Sequence, residues 1–471
     1  MKRQIVSWFT LGVILVGLLA ACARPTPETV EVEVPVEVTR VVAGTPETVV
    51  ITATPEPAAP EPEKPSGKIT IWGWTAAIRD TLEATDVFED FKEAYPDVEV
   101  EIVYYSPDDV YTNLPLAITA GEGAPDICYV ENSHVAEYVH MGGLLNVTEH
   151  LQPYLDNIVE YKLYDCEKDG KYYCVPWDGG PVVMYYRRDV FEAAGLPTDP
   201  DEVSETIATW DDYYEACRTI KEQTGSYCFA HNKANNWGRL YEMVLWQQGL
   251  GYYDPQTGDV SVDSPENVAT LEKLGLFWGE DLVSDSLEWT DPWYEELGSL
   301  DQPIATLIEA SWMDVFLKSW IAPGTAGKWG VAYMPTFEED GVRASNDGGS
   351  VFVIPEQTQN PEAAWAFLEF AMLKNEEYVL KGLAISGFIP SLKSTYDDAL
   401  FLSTDSFFGG QNTYQIYADV NGEIPRAGIY GPHYAMMNGA VSVAIQRYAT
   451  GEATAEVALQ AAADEIRANL E

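Results

Sequence analysis

From Lys68 onward the chain alternates two kinds of segment, and this alternation limits its possible folds more than any other feature. "KITIWGW" (68–74) reads as a buried strand, "TLEATDVFEDFKEAYP" as a helix with Leu82, Val87, Phe88 and Phe91 on one side, and "VEVEIVYY" as a second strand. A helix over 112–121 and the apolar run "DICYV" follow. Strands that alternate with helices predict an α/β sheet with parallel strands. Ligands of such sheets bind beyond the carboxyl ends of the strands. That rule points to Trp72, Gly73 and Trp74 after the first strand, and to Glu131, Asn132 and Ser133 after the third.

Past Pro176 the pattern restarts with "VVMYY", a helix from Trp210 to Thr224, an aromatic helix near "NNWGRLYEMVLWQQG" and a helix from Pro265 to Trp278. "WGVAYMP" (329–335) and "GGSVFVIP" (348–355) read as further strands. A helix begins at Pro361, and two more close the chain over 436–450 and 453–470. The roughly 400 residues after Gly67 are too many for one ordinary core and natural for two lobes.

The formal charge is −48, from 75 acidic against 27 basic residues. Nucleic acid and anionic partners are thereby disfavoured, because phosphate binding needs clustered Lys and Arg. The 14 Trp and 28 Tyr exceed what the core needs, so some are expected to face a ligand. No Ser nucleophile elbow, H-E-x-x-H, paired C-x-x-C or phosphate-cradling glycine loop is present, and the five His show no ligand spacing. No catalytic residue, cofactor or metal site is expected. "YDPQTGD" reads as a turn, with calcium as its other use.

The N-terminus differs from the rest. Lys2 and Arg3 precede an apolar segment from Leu11 to Ala21, the layout of a secretory signal and short for a membrane span. Leu19-Ala20-Ala21-Cys22 resembles the bacterial lipobox, which implies a signal peptide over 1–21 and an acylated Cys22 that anchors the chain to the membrane. Ala23 to Ser66 repeats "TPETV" and is rich in Pro and Glu. It reads as a disordered spacer, and its 44 residues would span about 35 Å as a flexible coil. "VEVEVPVEV" alternates like a strand, but Pro35 and the repelling Glu residues argue against one.

Five cysteines remain. In an oxidising compartment Cys166 pairs with Cys174 and Cys217 with Cys228, since each pair closes a short local loop. An Asp169-Gly170-Lys171 turn would set the first pair face to face. Cys128, in "APDICYV", is expected to be a buried, inert thiol.

The order of "KITIWGW", "FKEAYPDVEVEIVYY", "AGEGAPDICYVENS", "GGLLNVTEHL", "GKYYCVPWDGGPVVMYYRRDVFEAAGLP", "TWDDYYEACRTI", "KWGVAYMP", "GGSVFVIPEQTQNPEAAWAFLEF" and "ATGEATAEVALQAA" resembles the extracellular solute-binding proteins of ABC transporters, in the sugar-binding branch. The resemblance implies a two-lobed periplasmic-binding-protein fold with the ligand clamped at a hinge. Lobe 1 would comprise 67–178 and 335–388, and lobe 2 would comprise 185–331 and 392–471. Crossings would fall near 177–186, 332–336 and 389–392. The implied role is an anchored, monomeric receptor that captures a carbohydrate, an oligosaccharide by preference, and hands it to a permease. A secreted glycoside hydrolase and a receptor for a peptide or polyamine are the rival readings. Arg187 departs from the family, which has Asn or Asp at that position.

A sugar ring offers a C–H face and a belt of hydroxyls, so its site needs flat aromatic surfaces together with paired donors and acceptors. Trp312, in "EASWMDVF", occupies a position where the family stacks an aromatic ring on sugar; a core Trp is the other reading. Glu131 and Asn132 directly follow an apolar strand. Trp74, Trp177, Asp178 and Trp237 are further candidates, with Trp289 and Trp293 behind them. Tyr434 and Asn438 lie in a segment that lines the cleft of relatives, and Gly349, beside Gly348, would allow close backbone approach.

Overall fold

The computed structural model describes residues 36–38, 49–51, 64–74, 78–234 and 238–471. The expected signal peptide over 1–21, Cys22 and Trp237 lie outside the described residues. Within the N-terminal unit, Met1–Glu63, Val36–Val38 pairs antiparallel with Val49–Ile51. These six residues therefore form a ladder where the sequence reading expects only spacer; the Val-rich alternation outweighs the neighbouring Pro.

Among its described residues the second unit, Lys64–Glu471, has two main sheets, of six and three strands, and two short two-stranded ladders. The larger has six strands in the order Ile389–Pro390, Cys174–Gly179, Ser350–Val353, Ile127–Glu131, Gly67–Gly73 and Val98–Tyr104. Gly67–Gly73 pairs parallel with both Val98–Tyr104 and Ile127–Glu131, as the alternation of strand and helix predicts. The other three strands add antiparallel, so the sheet is mixed rather than wholly parallel. Both faces are covered. Ile127, Tyr129 and Phe352 join one apolar cluster, and Cys128, Val130, Val351 and Val353 join another on the opposite face. This period-two split explains why "DICYV" is apolar at every position.

In the smaller sheet, Val182–Arg187 lies between Thr306–Ala310 and Trp329–Ala332, antiparallel to both. A separate apolar cluster surrounds it, containing Trp210, Tyr213, Trp293 and Trp329. The helix Trp210–Thr224 packs here, started by a reciprocal Thr209–Asp212 capping box and stopped by Gly225 at φ 76°. The Arg187 guanidinium is fully buried: Nε and Nη2 grip Asp189 at 2.9 and 2.8 Å, and Nη1 donates to the Ser299 carbonyl at 2.8 Å. Arg187 thus pins this sheet to the loop before Thr306.

The chain passes between the sheets at Gly179–Val182 and again at Ser345–Asp347. These two passages are hydrogen-bonded to each other, Val182 N to Ser345 O at 2.9 Å and Asp347 N to Gly180 O at 2.9 Å. The second passage is thus later than the expected 332–336. Thr336 is held by Ala208 and Trp210, and Ala344 lies in the apolar cluster around the smaller sheet, so 333–344 stays there. A third strand of chain returns at Ile389–Pro390, paired with Asp178 and Gly179.

Disulfides join Cys166 to Cys174 and Cys217 to Cys228, with Cα separations of 5.3 and 5.2 Å. The first closes a hairpin in which Lys168 pairs with Lys171, leaving a two-residue Asp169-Gly170 turn rather than three residues. Both turn residues have positive φ, 54° and 73°, as the tightest hairpin turn requires. Cys128 is buried, and burial pushes its thiol pKa up, so it stays protonated and inert.

Candidate functional site

The site forms where the ends of the two sheets meet at the paired crossings. On the larger sheet, Ser350 stands opposite both Glu131 and Asp178, which sets these three residues side by side on adjacent strands. Glu131 ends its strand and caps the helix Asn132–Met141, accepting from the Ser133 amide at 3.3 Å and the Ser133 hydroxyl at 2.5 Å. On the smaller sheet, Thr306–Ala310 carries Glu309 and leads directly into Trp312.

Trp312 is half-buried, and its Nε1 donates to the Asp347 carbonyl at 3.1 Å. Its ring lies 5.8 Å from Trp289, 5.7 Å from Phe316 and 5.7 Å from the Arg239 guanidinium. Arg239 is also 5.9 Å from the Trp289 ring. Three carboxylates hold it: Glu288 at 3.2 Å, Glu309 through both oxygens at 3.0 and 2.7 Å, and Asp347. A guanidinium fixed in this way cannot swing away, so its charge and the two indoles form one preorganised surface. Trp289 holds φ at 63°, a conformation that costs a bulky residue roughly 1–3 kcal/mol.

Gly348 connects the two sides. A Cβ built on it would lie 3.6 Å from Trp312 Nε1 and 3.9 Å from Glu131 Oε1, and its amide donates to the Tyr430 hydroxyl at 3.2 Å. Gly349, at φ 83°, lies so close to the Asp178 carbonyl and Lys162 Nζ (2.8 and 2.9 Å from a built Cβ) that only glycine fits. Tyr434 and Asn438 also converge here. Both donate to Glu242, at 3.2 and 2.8 Å, and Tyr252 donates to the same carboxylate at 2.6 Å.

Beneath this surface lies a buried charged cluster. Lys162 is wholly enclosed and donates to Asn132 Oδ1 at 2.5 Å, while Asn132 Nδ2 donates to Asp165. Burial pushes the carboxyls of Asp165 and Asp178 up to about 7, against the pull of Lys162, and the Lys162 ammonium down to about 8. Glu242 is likewise pushed up to about 7, and burial also raises Glu131, Glu288 and Glu309. Between their ordinary values of 3.8 to 4.5 and about 7, the folded chain retains protons that the unfolded chain has lost. From these carboxyls stability falls as pH rises through that window, while His134 and His231, which burial lowers to about 4, contribute a smaller slope of opposite sign that ends at about 6.5. The melting temperature of the unliganded protein should be higher at about pH 5.5 than at about pH 7.5, as a calorimetric scan at the two values will show.

Of the residues singled out in the sequence, the structure brings together Trp312, Glu131, Tyr434, Asn438 and Gly349, with Trp289 joining them. Asn132 and Asp178 lie one layer down, in the Lys162 cluster. Trp74 is half-buried against Tyr129, with ring centroids 4.3 Å apart, and belongs to the wall of the larger sheet. Trp177 is enclosed by Tyr129, Phe352 and Phe388 at 5.3 to 5.6 Å and presents no free face. Trp293 is fully buried in the other core. Sequence reasoning missed Arg239, Glu242, Glu288, Glu309, Asp347, Lys162 and Asp165. A charged Glu309 inside the apolar run "TLIEA", three residues before Trp312, was the one local signal.

The model of the bacterial extracellular solute-binding proteins matches residues 75–374. The arabinooligosaccharide-binding protein of Halalkalibacterium halodurans is 31% identical over 353 residues, covering 72% of this chain and 76% of that protein. The lactose-binding protein of Rhizobium radiobacter is 26% identical over 366 residues, covering 76% and 83%. Among solved structures, the sugar-binding protein MalE of Xanthomonas citri superposes with a TM-score of 0.70 at 18% identity, over 85% of this chain and 96% of that one. The binding protein of B. animalis subsp. lactis in complex with β-1,6-galactobiose gives 0.66 at 23% identity, over 85% and 97%. At such identities these two structures speak to the fold. The match over residues 75–374 and the arabinooligosaccharide-binding relative together establish that this chain belongs to the bacterial extracellular solute-binding proteins.

Proposed function

We propose that this protein is the extracytoplasmic receptor of an ABC importer, acting as a monomer, which takes a carbohydrate, an oligosaccharide, at the junction of its two sheets and presents it to a permease. The observation that carries this reading is the surface formed by Trp312, Trp289 and the clamped Arg239. Two indole planes suit the C–H faces of sugar rings, and the surrounding carboxylates and guanidinium supply acceptors and donors for hydroxyls. The relatives that bind arabinooligosaccharide and lactose support a saccharide over a peptide or polyamine. Acylated Cys22 and the Pro- and Glu-rich spacer would tether the receptor within reach of the permease.

Closure is the transport signal in this scheme. A ligand that touches both sheets binds the closed arrangement better than an open one and shifts that equilibrium. The protein binds the saccharide without cleaving it. A thermal-shift screen with arabinotriose, lactose and β-1,6-galactobiose should find at least one that raises the melting temperature. That saccharide should compact the protein in solution scattering and be recovered intact. Binding without compaction would remove the closure mechanism, and hydrolysis products would favour the glycosidase reading.

A further inference from the structure

The buried cluster beside Gly349 contains a reactive pairing apart from the saccharide surface. Lys162 and Asn132 are both fully enclosed. Among the described residues Lys162 forms no ion pair, and its amine donates instead to the uncharged carboxamide of Asn132. A buried ammonium without a carboxylate against it is costly, and that cost favours the neutral amine. Lys162 Nζ lies 2.5 Å from Asn132 Oδ1. A carbonyl bond is about 1.23 Å long, so Nζ lies no more than about 3.7 Å from Asn132 Cγ. This approaches the roughly 3–3.5 Å of a near-attack arrangement. On its other side the same carboxamide donates from Nδ2 to Asp165. An amine and an acid thus flank one amide. The backbone holds all three in place: Asn132 N–H donates to the Gly349 carbonyl at 2.9 Å, Lys162 N–H to the Val159 carbonyl at 3.2 Å, and Asp165 adjoins the disulfide-bonded Cys166.

We propose that Lys162 and Asn132 are a self-modification site, at which the two side chains join in an isopeptide bond and release ammonia. The free amine adds its lone pair to Asn132 Cγ, and Oδ1 takes up the displaced electron pair. The carbonyl then reforms as the Cγ–Nδ2 bond breaks, and Nδ2 departs with the proton of Asp165. Asp165 regains a proton from Nζ, which keeps one hydrogen as the new amide N–H. One Nζ–Cγ bond replaces one Cγ–Nδ2 bond, so no oxidant, metal or second reactant is consumed. Burial brings the Lys162 ammonium down to about 8 and the Asp165 carboxyl up to about 7, so free amine and protonated acid coexist near neutral pH. Asp165 also lines a cavity of about 720 Å³, which gives the ammonia a way out. Protein kept at about pH 5.5 holds Lys162 as the charged member of the ion cluster, and the joined form lacks that charge. The bond closes a loop over a sequence separation of 30 residues and restricts the unfolded chain as a disulfide does, so the melting temperature rises as it forms.

The bond is independent of what the saccharide surface binds. Its test is intact-mass spectrometry of the purified protein with its disulfides reduced, prepared at about pH 5.5 and then incubated at about pH 7.5. Each chain should lose about 17 Da, the mass of ammonia. A tryptic map should then contain one branched peptide in which Lys162 resists cleavage and is linked to Asn132. Lys162→Arg and Asn132→Ala should keep their full mass. Asp165→Asn retains a hydrogen-bonding side chain without a transferable proton and should slow the loss at least about tenfold. Asn132→Asp should form the same bond with loss of water, about 18 Da. A melting curve of each variant shows that it is folded, and the wild-type peptide map decides the matter even where a variant is not. Folded wild-type protein that keeps its full mass overturns the proposal. So does a loss of about 17 Da that maps to a succinimide at another asparagine.

Discussion

Trp312→Ala is expected to abolish the thermal shift produced by any saccharide that stabilises the native protein, while leaving the unliganded protein folded. The ring is only half-buried, and among the described residues its one side-chain hydrogen bond is from the indole N–H to a backbone carbonyl. Its truncation should therefore cost well under the roughly 3–5 kcal/mol of a fully buried aromatic. The loss of ligand is larger relative to what is at stake. A central aromatic anchor in a desolvated site carries about 2–4 kcal/mol of binding, or roughly 30- to 700-fold in affinity. Trp312→Phe keeps a plane in the same place and should retain most of that affinity. Titration calorimetry with the stabilising saccharide, paired with a melting curve of each variant, separates the outcomes. A large fall in unliganded stability for Trp312→Ala would make the residue a core tryptophan, and unchanged affinity would move the sugar elsewhere.

Trp312 was singled out through the family resemblance alone, and its half-buried setting against Trp289 and Arg239 comes from residues distant in sequence. The helix Trp210–Thr224 was legible from local features: Thr209, Asp212 and Gly225 write its start and stop within a few residues of its ends. The second crossing was not, since its position depends on Thr336 bonding to Ala208 and Trp210, more than a hundred residues earlier in the chain. Arg239 shows the limit most clearly. Within its own helix it stands with Glu242 among apolar and aromatic residues, and it acquires its partners through Glu288, Glu309, 70 residues on, and Asp347, 108 residues on. Trp177 was misplaced for a different reason. Its nearness to the glycines at a crossing suggested a cleft position, yet it shares with Val175 the face that packs into the apolar cluster around Tyr129 and Phe352. Strand alternation from Val175 would have assigned it to the core.

Lys162→Met should be the most destabilising single substitution in this region. The ammonium is fully enclosed, hydrogen-bonded to Asn132, and is the positive charge that pulls against the raised carboxyls of Asp165 and Asp178. Replacing it with an apolar side chain of similar length leaves those carboxyls without compensation. Breaking a buried ion cluster from one side in this way costs about 3–5 kcal/mol. The size of the loss should depend on pH in a defined direction. At about pH 5.5 both carboxyls can take up protons and remain buried as neutral groups, so the loss shrinks; at about pH 8 they must be ionised or stay protonated at a cost, so it grows. The double variant Lys162→Met with Asp178→Asn removes one of the stranded charges and should recover part of the stability at the higher pH. Urea denaturation of the three proteins at both pH values provides the test. A loss of equal size at both values would mean that Lys162 contributes packing alone. A pH-dependent loss would mean that the Lys162 charge, close beside Gly349, compensates the buried carboxyls of Asp165 and Asp178.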